Sequence, residues 1–494
     1  MPAELPTPLS HAGTPILMLG VLFDRITTEE TVELVAAMIA SRQPHIIATA
    51  NVDFTVQVDR DAELRRILYE THLVVCDGMP LVWASRVLGN PLPERVTGSD
   101  LVPRLIAEAE KRAWKVFFLG GTPESVAQAA ANTRARHPRL QLVGAFSPPF
   151  RPVVGASEDI EADHAEIIRR IQEAKPDLLL VAFGCPKQEK WINKYYQKYG
   201  APVSIGVGAT IDFLAGTVQR APVWMQRTGM EWLFRLVQEP RRLARRYGLG
   251  FWVFGRAILN QWLRLGSRHQ PPPGPPALIT RATPDATVLV GPARLDAVAV
   301  EVGRPTWEQA VGEAKDLIFD LSSTEFADST GLGALVRLRK FAAQQGRGFA
   351  LAGPRPRIVD ALQLMKLTDY LPSGPDVVSA RELAQRMRRE TAVTLACLDR
   401  HVELSWDGEI TAQNRDQIEA RLETQLNSLS DGTRVVIDLR GVTFVDSAGV
   451  GLLVKIKRVL HRRNVEVTLA HPTESVLNVL RLTRLEQYLL GKAA

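Results

Sequence analysis

The sequence HLVVCDG at His72–Gly78 decides the fold of the first half of this 494-residue chain. Its four consecutive apolar residues, Leu73 to Cys76, suit a strand that is buried on both faces, which is typical of parallel sheets. Similar runs recur, with stretches of helical periodicity between them. The expected strands are ILMLGVLF (Ile16–Phe23), HIIATAN (His45–Asn51), HLVVCDG, KVFFLGG (Lys115–Gly121), DLLLVAFG (Asp177–Gly184) and VSIGVGAT (Val203–Thr210). The alternation predicts an α/β fold with a parallel sheet, in which ligands bind beyond the carboxyl ends of the strands.

The second half contains an internal repeat. LIFDLSSTEFADSTGLGALVRLRK (Leu317–Lys340) matches VVIDLRGVTFVDSAGVGLLVKIKR (Val435–Arg458) at a constant offset of 118 residues. The repeat predicts two copies of one small α/β domain, at 278–390 and 391–494. HQPPPGPP (His269–Pro276) cannot hold a helix or a central strand and therefore marks the boundary before them. We expect a front domain at 14–250 and an amphipathic segment with a proline-rich linker at 251–277.

The composition favours soluble globular material, with 46% hydrophobic and 23% charged residues. The three cysteines lie far apart, which predicts neither a disulfide framework nor a zinc site and fits a reducing cytoplasm. We expect no signal peptide, because the first residues have no basic region and no apolar core. No run of about 18 uncharged apolar residues is present, so a membrane-spanning helix is not expected.

Arginines are concentrated just before the proline-rich linker. Between Arg235 and Arg268 there are eight arginines and one acid, Glu239, whereas the formal net charge of the whole chain is only +6. Guanidinium groups bind phosphate in a bidentate manner, and the aromatic residues among these arginines suit a lipid headgroup boundary. A nucleic acid is an alternative polyanion, but no nucleic-acid-binding motif accompanies the stretch.

Several polar residues follow the expected strands, where they would meet at one edge of the sheet. Asp77 comes directly after a buried strand, where partial desolvation would raise its basicity and suit a general base. The alternative is that Asp77 caps the next helix. Thr49, Asn51 and Gln188 lie at equivalent strand ends.

Other motifs leave alternatives open. LGGTPES (Leu119–Ser125) either presents backbone N–H groups to a phosphate or forms a tight strand-to-helix turn. Arg95 is either a binding cation or a surface residue. Asp59 and Asp61 form a DxD triplet, but they do not follow a buried strand, so we expect a solvated face and no metal site.

The order of several motifs across residues 14–250 resembles the WecG/TagA/CpsF family of bacterial glycosyltransferases. The motifs are TANVDF, VVCDGMPLVWASRVLG, ERVTGSDL, FFLGG, VAFGCPKQEKWI and GVGATIDFLAGTVQRAPVWMQRTGMEWLFRLVQEPRR. The resemblance implies a Rossmann-like enzyme that moves N-acetylmannosamine, or a related sugar, from a UDP-sugar to polyprenyl-diphosphate-linked N-acetylglucosamine. It implies inverting, metal-independent transfer, without a cofactor, for teichoic acid or another surface polysaccharide. The enzyme would be peripheral on the inner face of the cell membrane.

The same resemblance assigns roles to residues. Asp77 would be the general base, and the other matched positions would bind the substrates or their diphosphates. These positions are Thr49, Asn51, Arg95, Gln188, Arg235, Arg242 and Arg245. Gly120 and Gly121 are further candidates for substrate binding, through the glycine turn of LGGTPES. The segment after EWLFR would close over the site at the membrane, and members of the family tend to self-associate.

The second half resembles two STAS domains, the fold of anti-sigma-factor antagonists. The phosphorylatable serine of that fold corresponds to Ser329 in DSTG and Ser447 in DSAG. The alternatives are a phosphorylation switch, with a kinase or regulatory protein as partner, and a docking module that is never phosphorylated, in which each serine is an ordinary helix cap. A different function for the whole chain is a non-catalytic partner-switching regulator that binds a nucleotide sugar.

Overall fold

The chain is mixed α/β with parallel sheets, as the sequence predicts. Residues 13–265 form the front domain, residues 279–388 the first repeat and residues 392–490 the second repeat. The computed structural model describes residues 13–149, 158–218, 220–222, 224–225, 231–238, 240–265, 279–282, 285–312, 315–388, 392–398, 401–426 and 433–490.

Six strands of the front domain form one parallel sheet. The strands of this domain are β1 (Gly13–Met18), β2 (Val21–Arg25), β3 (His45–Ala50), β4 (Leu73–Cys76), β5 (Lys115–Gly120), β6 (Gln141–Phe146), β7 (Leu178–Ala182) and β8 (Val203–Gly206). The sheet has the spatial order β4-β3-β8-β7-β5-β6. Strand β6 was not expected, because it lies at the sheet edge, is half-exposed and lacks a continuous apolar run.

The expected strand ILMLGVLF is wrong as a member of this sheet. Leu19 and Gly20 adopt positive φ values of 48° and 80°, and the chain turns there into the antiparallel hairpin β1–β2. The hairpin lies beside the edge strand β4, where the Asp24 Oδ2 atom accepts the Val74 N–H at 2.8 Å. The free edge of β4 is thereby covered.

Helices connect the strands of the front domain. They are α1 (Thr28–Ser41), α2 (Val52–Gln57), α3 (Ala62–Glu70), α4 (Met79–Val87), α5 (Gly98–Arg112), α6 (Pro123–Arg136), α7 (Glu158–Ala174), α8 (Lys187–Tyr199), α9 (Thr210–Ala215), α10 (Glu231–Gln238) and α11 (Pro240–Leu265). Local sequence fixes several starts, since Thr27 and Glu30 form a capping box on α1 and Thr122 caps α6 just before Pro123.

Helix α11 packs one face on the front domain and exposes another. Phe254 and Ile258 are buried in a cluster with residues of the β1–β2 hairpin, and Gln261 hydrogen-bonds to the hairpin backbone. Trp252, by contrast, is 80% exposed. The expected domain end at residue 250 falls inside this continuous helix. Among the described helices, none combines the length and the apolar character that a membrane crossing requires.

Each repeat has a sheet that is parallel except for one antiparallel edge strand. The first repeat comprises β9 (Ile279–Ala282), β10 (Ala286–Val290), β11 (Arg294–Leu295), α12 (Ala297–Gly312), β12 (Asp316–Asp320), β13 (Phe326–Ala327), α13 (Ser329–Gln344), β14 (Phe349–Ala352), α14 (Pro356–Leu364), β15 (Ser373–Gly374) and α15 (Val377–Arg388). The second comprises β16 (Ala392–Leu398), β17 (His401–Ile410), α16 (Arg415–Leu426), β18 (Arg434–Val445), α17 (Ser447–His461), β19 (Glu466–Ala470), α18 (Glu474–Leu482) and α19 (Glu486–Leu490). Asp328 and Asp446 cap α13 and α17, so the interpretation of Ser329 and Ser447 as ordinary helix caps is wrong, and each serine is the first residue of its helix.

The repeats pack directly on the front domain. Leu17, Leu22 and Tyr69 belong to the same buried cluster as Leu332 and Leu335 of the first repeat, so one hydrophobic core crosses the boundary. All three units also meet at one ion cluster. There, Glu409 of the second repeat pairs with Arg66 of the front domain and, at 3.4 Å, with Arg339 of the first repeat.

Candidate active site

The carboxyl ends of four parallel strands, β3, β4, β5 and β7, bring six of the ten predicted site residues to one edge of the front sheet. Backbone and side-chain hydrogen bonds link neighbouring strand ends. The Asp77 N–H donates to Ala50 O at 2.8 Å, and the buried Thr49 hydroxyl donates to Gly206 O at 3.0 Å. The ends of β4, β3 and β8 are therefore held in a fixed register, with Asp77 directly after β4 and Thr49 near the end of β3.

Asp77 is half-buried in the short link between β4 and α4. The N-cap residue of α4 is Gly78, and it makes no side-chain capping hydrogen bond. Asp77 therefore does not occupy the cap position that was its alternative interpretation. Burial, followed by the negative charge of Asp77, raises the pKa of the neighbouring Cys76 thiol. That thiol therefore stays protonated and does not compete as a base.

Asn51 has a structural role at the end of the neighbouring strand. Its Oδ1 atom accepts the Asp53 N–H at 3.0 Å and caps helix α2. This bond fixes the side chain beside the strand-end edge, because capping fixes the oxygen of the amide. Its part in binding a substrate stays a prediction.

Gly120 and Gly121 form a turn that requires glycine. Their φ values are 101° and 78°, and a Cβ atom on Gly120 would lie 2.7 Å from Ala182 O. The Gly121 N–H donates to Ala182 O at 3.2 Å, and the Ser125 N–H is held by the Thr122 cap. The tight-turn interpretation accounts for these groups, and the phosphate-binding role of the two glycines stays a prediction.

Gln188 joins two strand-end loops. Its Oε1 atom accepts the Gly184 N–H at 3.1 Å and the Gly208 N–H at 3.2 Å, which connects the loops after β7 and β8. Its amide nitrogen donates to the Glu189 Oε1 atom at 2.8 Å. Gln188 is thus a rigid part of the site floor.

Glu189 is an acid next to Gln188 that the sequence did not lead us to expect at this position. It is buried beside Gln188, and its Oε2 atom makes no hydrogen bond within the described structure. Burial raises the pKa of Glu189 to about 7, against hydrogen bonds that lower it. The sequence feature that could have pointed to Glu189 is its position directly after Gln188 in the motif FGCPKQE.

Arg95 is engaged by carboxylates rather than exposed at a surface. Its guanidinium pairs with Glu231 of α10 at 3.0 Å and with Asp100 at 3.4 Å, and Arg220 also binds Asp100, at 2.8 Å. Although burial raises the pKa of Asp100, hydrogen bonds from Arg220 and Thr97 outweigh it and keep the pKa low. This network ties the loop after α4 to the helix that begins the arginine-rich segment.

The arginines of that segment can be placed only by their backbone. Arg235 lies in α10, and Arg242 and Arg245 lie in the first turns of α11. Their side chains lie outside the described part of the structure.

Comparison with known proteins identifies the family of each half of the chain. The model of the glycosyl transferase WecG/TagA/CpsF family matches residues 16–268, just over half of the chain, and the STAS domain model matches residues 277–380 and 392–492. The chain belongs to the WecG/TagA/CpsF glycosyltransferase family. Its second half consists of two STAS domains, so the predicted enzyme class and both resemblances are confirmed.

Two relatives of this glycosyltransferase are named N-acetylglucosaminyldiphosphoundecaprenol N-acetyl-beta-D-mannosaminyltransferase. The Bacillus subtilis (strain 168) protein is 29% identical over 200 residues, which cover 40% of this chain and 74% of the relative. The Staphylococcus aureus (strain MW2) protein is 28% identical over 230 residues, which cover 46% and 86%, respectively. Each match covers less than half of this chain but most of the relative.

The DxD carboxylates of the glycosyltransferase lie outside its strand-end edge. Asp59 pairs with Lys366 of the first repeat at 2.6 Å, whereas Asp61 caps α3 and pairs with Lys190 at 2.7 Å. In the described part of the chain, no group of three or more histidine, cysteine or acidic side chains has the geometry to hold a metal ion. The two aspartates therefore serve ion pairing and capping.

The two STAS serines of the glycosyltransferase differ in access. Ser329 is only 3% exposed at the start of α13. Ser447 is half-buried, and its hydroxyl donates to the Glu63 Oε1 atom of the front domain at 2.6 Å. Glu63 also pairs with Lys190 at 3.0 Å. The DSxG turn of the second repeat therefore faces the front domain through a polar contact.

Proposed function

We propose that the front domain transfers N-acetylmannosamine, or a related sugar, from a UDP-sugar to polyprenyl-diphosphate-linked N-acetylglucosamine, for synthesis of a cell-surface polymer. The observation that carries the proposal is the position of Asp77. This half-buried carboxylate lies at the strand-end edge beside Thr49, in a chain that belongs to this glycosyltransferase family. The name of the two relatives supplies the sugar and the acceptor.

The proposed reaction is a single direct displacement. The Asp77 carboxylate accepts the proton of the acceptor hydroxyl while that oxygen forms a bond to the anomeric carbon. The bond from the anomeric carbon to UDP breaks, and its electron pair leaves with the UDP oxygen. One displacement inverts the anomeric configuration. The arrangement of Asp59 and Asp61 in ion pairs supports a reaction in which this DxD pair holds no metal.

Arginine would stabilise the charge that grows on the departing UDP. Arg95 is already poised beside the strand-end edge, where Glu231 and Asp100 hold it. A diphosphate would compete with Glu231 for this guanidinium. We therefore propose that substrate binding exchanges the Arg95–Glu231 pair for an Arg95–phosphate pair and repositions α10, which carries Arg235 and precedes Arg242 and Arg245 in the chain.

Replacement of the proposed base tests the chemistry. Asp77→Asn should retain binding of the UDP-sugar by calorimetry and should lower turnover by about 10²- to 10⁴-fold. Asp59→Asn is the matched control, because it removes a carboxylate from the same domain outside the strand-end edge, and it should keep normal turnover. Near-normal turnover by Asp77→Asn would refute the base assignment. A donor series, with UDP-N-acetylmannosamine, its uronic acid and UDP-glucose, would identify the sugar.

We further propose that α11 holds the enzyme at the inner face of the membrane. Trp252, Leu259 and Leu263 are exposed at intervals that place them on one side of this helix. An amphipathic helix with aromatic and arginine residues suits the headgroup boundary. Trp252→Ser combined with Leu259→Ser should weaken sedimentation with anionic liposomes. Val298→Ser, at an exposed apolar residue of the first repeat, is the control, and equal liposome binding by all variants would contradict the proposal.

A regulatory role is the second candidate, and the Ser447–Glu63 contact favours it. A phosphate on Ser447 would carry a charge of about −2 and would lie next to Glu63 and the buried Asp446. The like charges would repel one another. We propose that a kinase or other STAS-binding partner acts there rather than at the more buried Ser329. Intact-mass measurement of the protein from stressed cells tests this step. A chain that never gains the mass of a phosphate would count against it.

A further inference from the structure

Residues of the first repeat hold groups on either side of β4, the strand that precedes Asp77. Strand β4 is an edge strand, so its outward N–H groups need partners from outside the sheet. The Val74 N–H donates to the Asp24 Oδ2 atom at 2.8 Å. The other oxygen of Asp24 pairs with the guanidinium of Arg337, on α13 of the first repeat. Both side chains of this pair are about nine-tenths buried.

The start of the same strand is held by the next turn of α13. The Lys340 ammonium donates to Thr71 O at 2.5 Å and lies 3.5 Å from His72 O. These two carbonyls directly precede β4. Lys340 and Arg337 lie three residues apart and therefore on one face of the helix. One face of α13 thus holds β4 indirectly at two places, through Asp24 and through the two residues that precede the strand.

The far side of Asp77 is also held by α13. The Nδ2 atom of Asn90 donates to the Thr330 hydroxyl oxygen at 2.9 Å, and the Asn90 side chain is buried. The Asn90 N–H donates to Ser85 O at 3.1 Å, so this residue closes the end of α4. Residues 71–90, which include β4, Asp77 and α4, are therefore fixed by α13 at both ends.

The contact between helix and hairpin is close enough to transmit a displacement. A Cβ atom on Gly333 of α13 would lie 2.9 Å from the Leu22 side chain and 3.4 Å from Pro15 O. Because packed interiors do not deform continuously, a shift of α13 must move the hairpin and β4 with it. Catalytic rate is sensitive to such shifts, since a misplacement of about 1 Å can cost about 10²-fold.

We propose that helix α13 of the first STAS domain is a positioning element of the transferase site, with Arg337, Lys340 and Thr330 fixing the segment that carries Asp77. The assignment rests on the proposed function, because it takes Asp77 as the base. It makes the first repeat a constitutive part of the enzyme. An event that moves this repeat would act on turnover rather than on donor binding.

The test compares conservative variants in the full chain, with the UDP-sugar donor and a short polyprenyl-diphosphate acceptor. Thr330→Val removes the oxygen that Asn90 uses, whereas Thr330→Ser keeps it. Thr330→Val and Arg337→Gln should each lower kcat by about 10- to 100-fold, with the KM for the donor changed by less than about twofold. Thr330→Ser should keep a kcat close to that of the unaltered protein, because it retains the hydroxyl oxygen. A general loss of fold would instead lower the fraction of active enzyme, which active-site titration with the donor measures.

Two controls complete the design. Thr324→Val alters another buried threonine of the first repeat, and Arg381→Gln breaks an ion pair within that repeat, so both should keep normal kcat. If the unaltered protein shows no transfer, or Asp77→Asn remains active, the proposed function fails. If Asp77→Asn is inactive and Thr330→Val and Arg337→Gln keep normal kcat, the positioning role of α13 is overturned while the function stands. If Arg337→Gln does not fold, Thr330→Val and Thr330→Ser alone decide the outcome.

Discussion

Helices α13 and α17 are equivalent in the two repeats, yet they have different neighbours. Gly333 and Gly451 correspond at the offset of 118 residues. A Cβ atom on Gly333 would press on Leu22 of the front domain, whereas one on Gly451 would have no described atom within 4 Å. The same residue type at the same position is therefore required by an interface in one repeat and not in the other.

The charged positions of the two helices diverge in the same way. Arg337 pairs with Asp24 of the front domain, but its counterpart Lys455 pairs with Glu419 inside its own repeat. Tyr370, buried with the Arg339 guanidinium 3.7 Å from its ring, corresponds to Tyr488, which is 47% exposed. The comparison teaches that an internal repeat specifies a fold twice but does not specify how each copy docks.

The largest contrast should come from the two ion pairs. Arg337→Ala leaves Asp24 buried without its cation and should destabilise the protein by about 3–5 kcal/mol. Lys455→Ala removes a pair that is 38% exposed on the lysine side and should cost about 1 kcal/mol or less. Urea unfolding monitored by fluorescence measures both. Equal losses in the two variants would mean that the Arg337–Asp24 contact adds nothing beyond an ordinary surface pair.

A smaller contrast should come from the two glycines. Gly333→Leu forces a side chain into the hairpin interface and should cost about 1–3 kcal/mol. Gly451→Leu places leucine on an open part of a helix and should be neutral or stabilise by up to about 1 kcal/mol. Thermal unfolding of the pair gives the comparison. If Gly451→Leu is the more damaging variant, the second repeat also docks through this face.

The sequence predicted the elements that depend on local patterns. Buried strands such as Leu73–Cys76 and the DSxG helix starts are visible because apolar runs and capping residues act over a few positions. The turn at Leu19 and Gly20 was missed because the apolar run ILMLGVLF continues through it. The apolar pattern alone therefore does not reveal the backbone turn.

The candidate site was predictable where strand ends alone bring residues together, as for Asp77 and Gln188. The partners that fix those residues were not predictable. Asn90 meets Thr330 across 240 residues of chain, and Arg337 meets Asp24 across 313. Such contacts depend on how the domains dock, for which a single sequence carries no periodic signal.

Titration of the two capping aspartates should sharpen the comparison. Burial raises the pKa of Asp328 to about 6, and burial together with the charge of Glu63 raises the pKa of Asp446 above its usual range. A carboxyl group with a higher pKa in the folded state gives stability that is full below its ordinary value of 3.8 and is lost as pH rises through the folded pKa. Raising the pH from 5.5 to 8 should therefore destabilise the unaltered protein relative to Asp446→Asn. The corresponding cost relative to Asp328→Asn should be about 1 kcal/mol. Urea unfolding at the two pH values measures both losses of stability. A larger loss relative to Asp328→Asn than relative to Asp446→Asn would contradict the effect of Glu63 on the pKa of Asp446.

The smallest effect should come from the contact between the DSxG serine of the second repeat and the front domain. Ser447→Ala removes a hydrogen bond to the Glu63 carboxylate, which remains paired with Lys190, so the loss should be about 1 kcal/mol. A double-mutant cycle with Glu63→Gln separates this bond from other consequences of each substitution. Coupling near zero would show that the serine is not held by the front domain. Coupling of about 1 kcal/mol would show that the contact between Ser447 and Glu63 is weak. We then expect that a single phosphate on Ser447 can break this contact, whereas Ser329 of the first repeat remains buried.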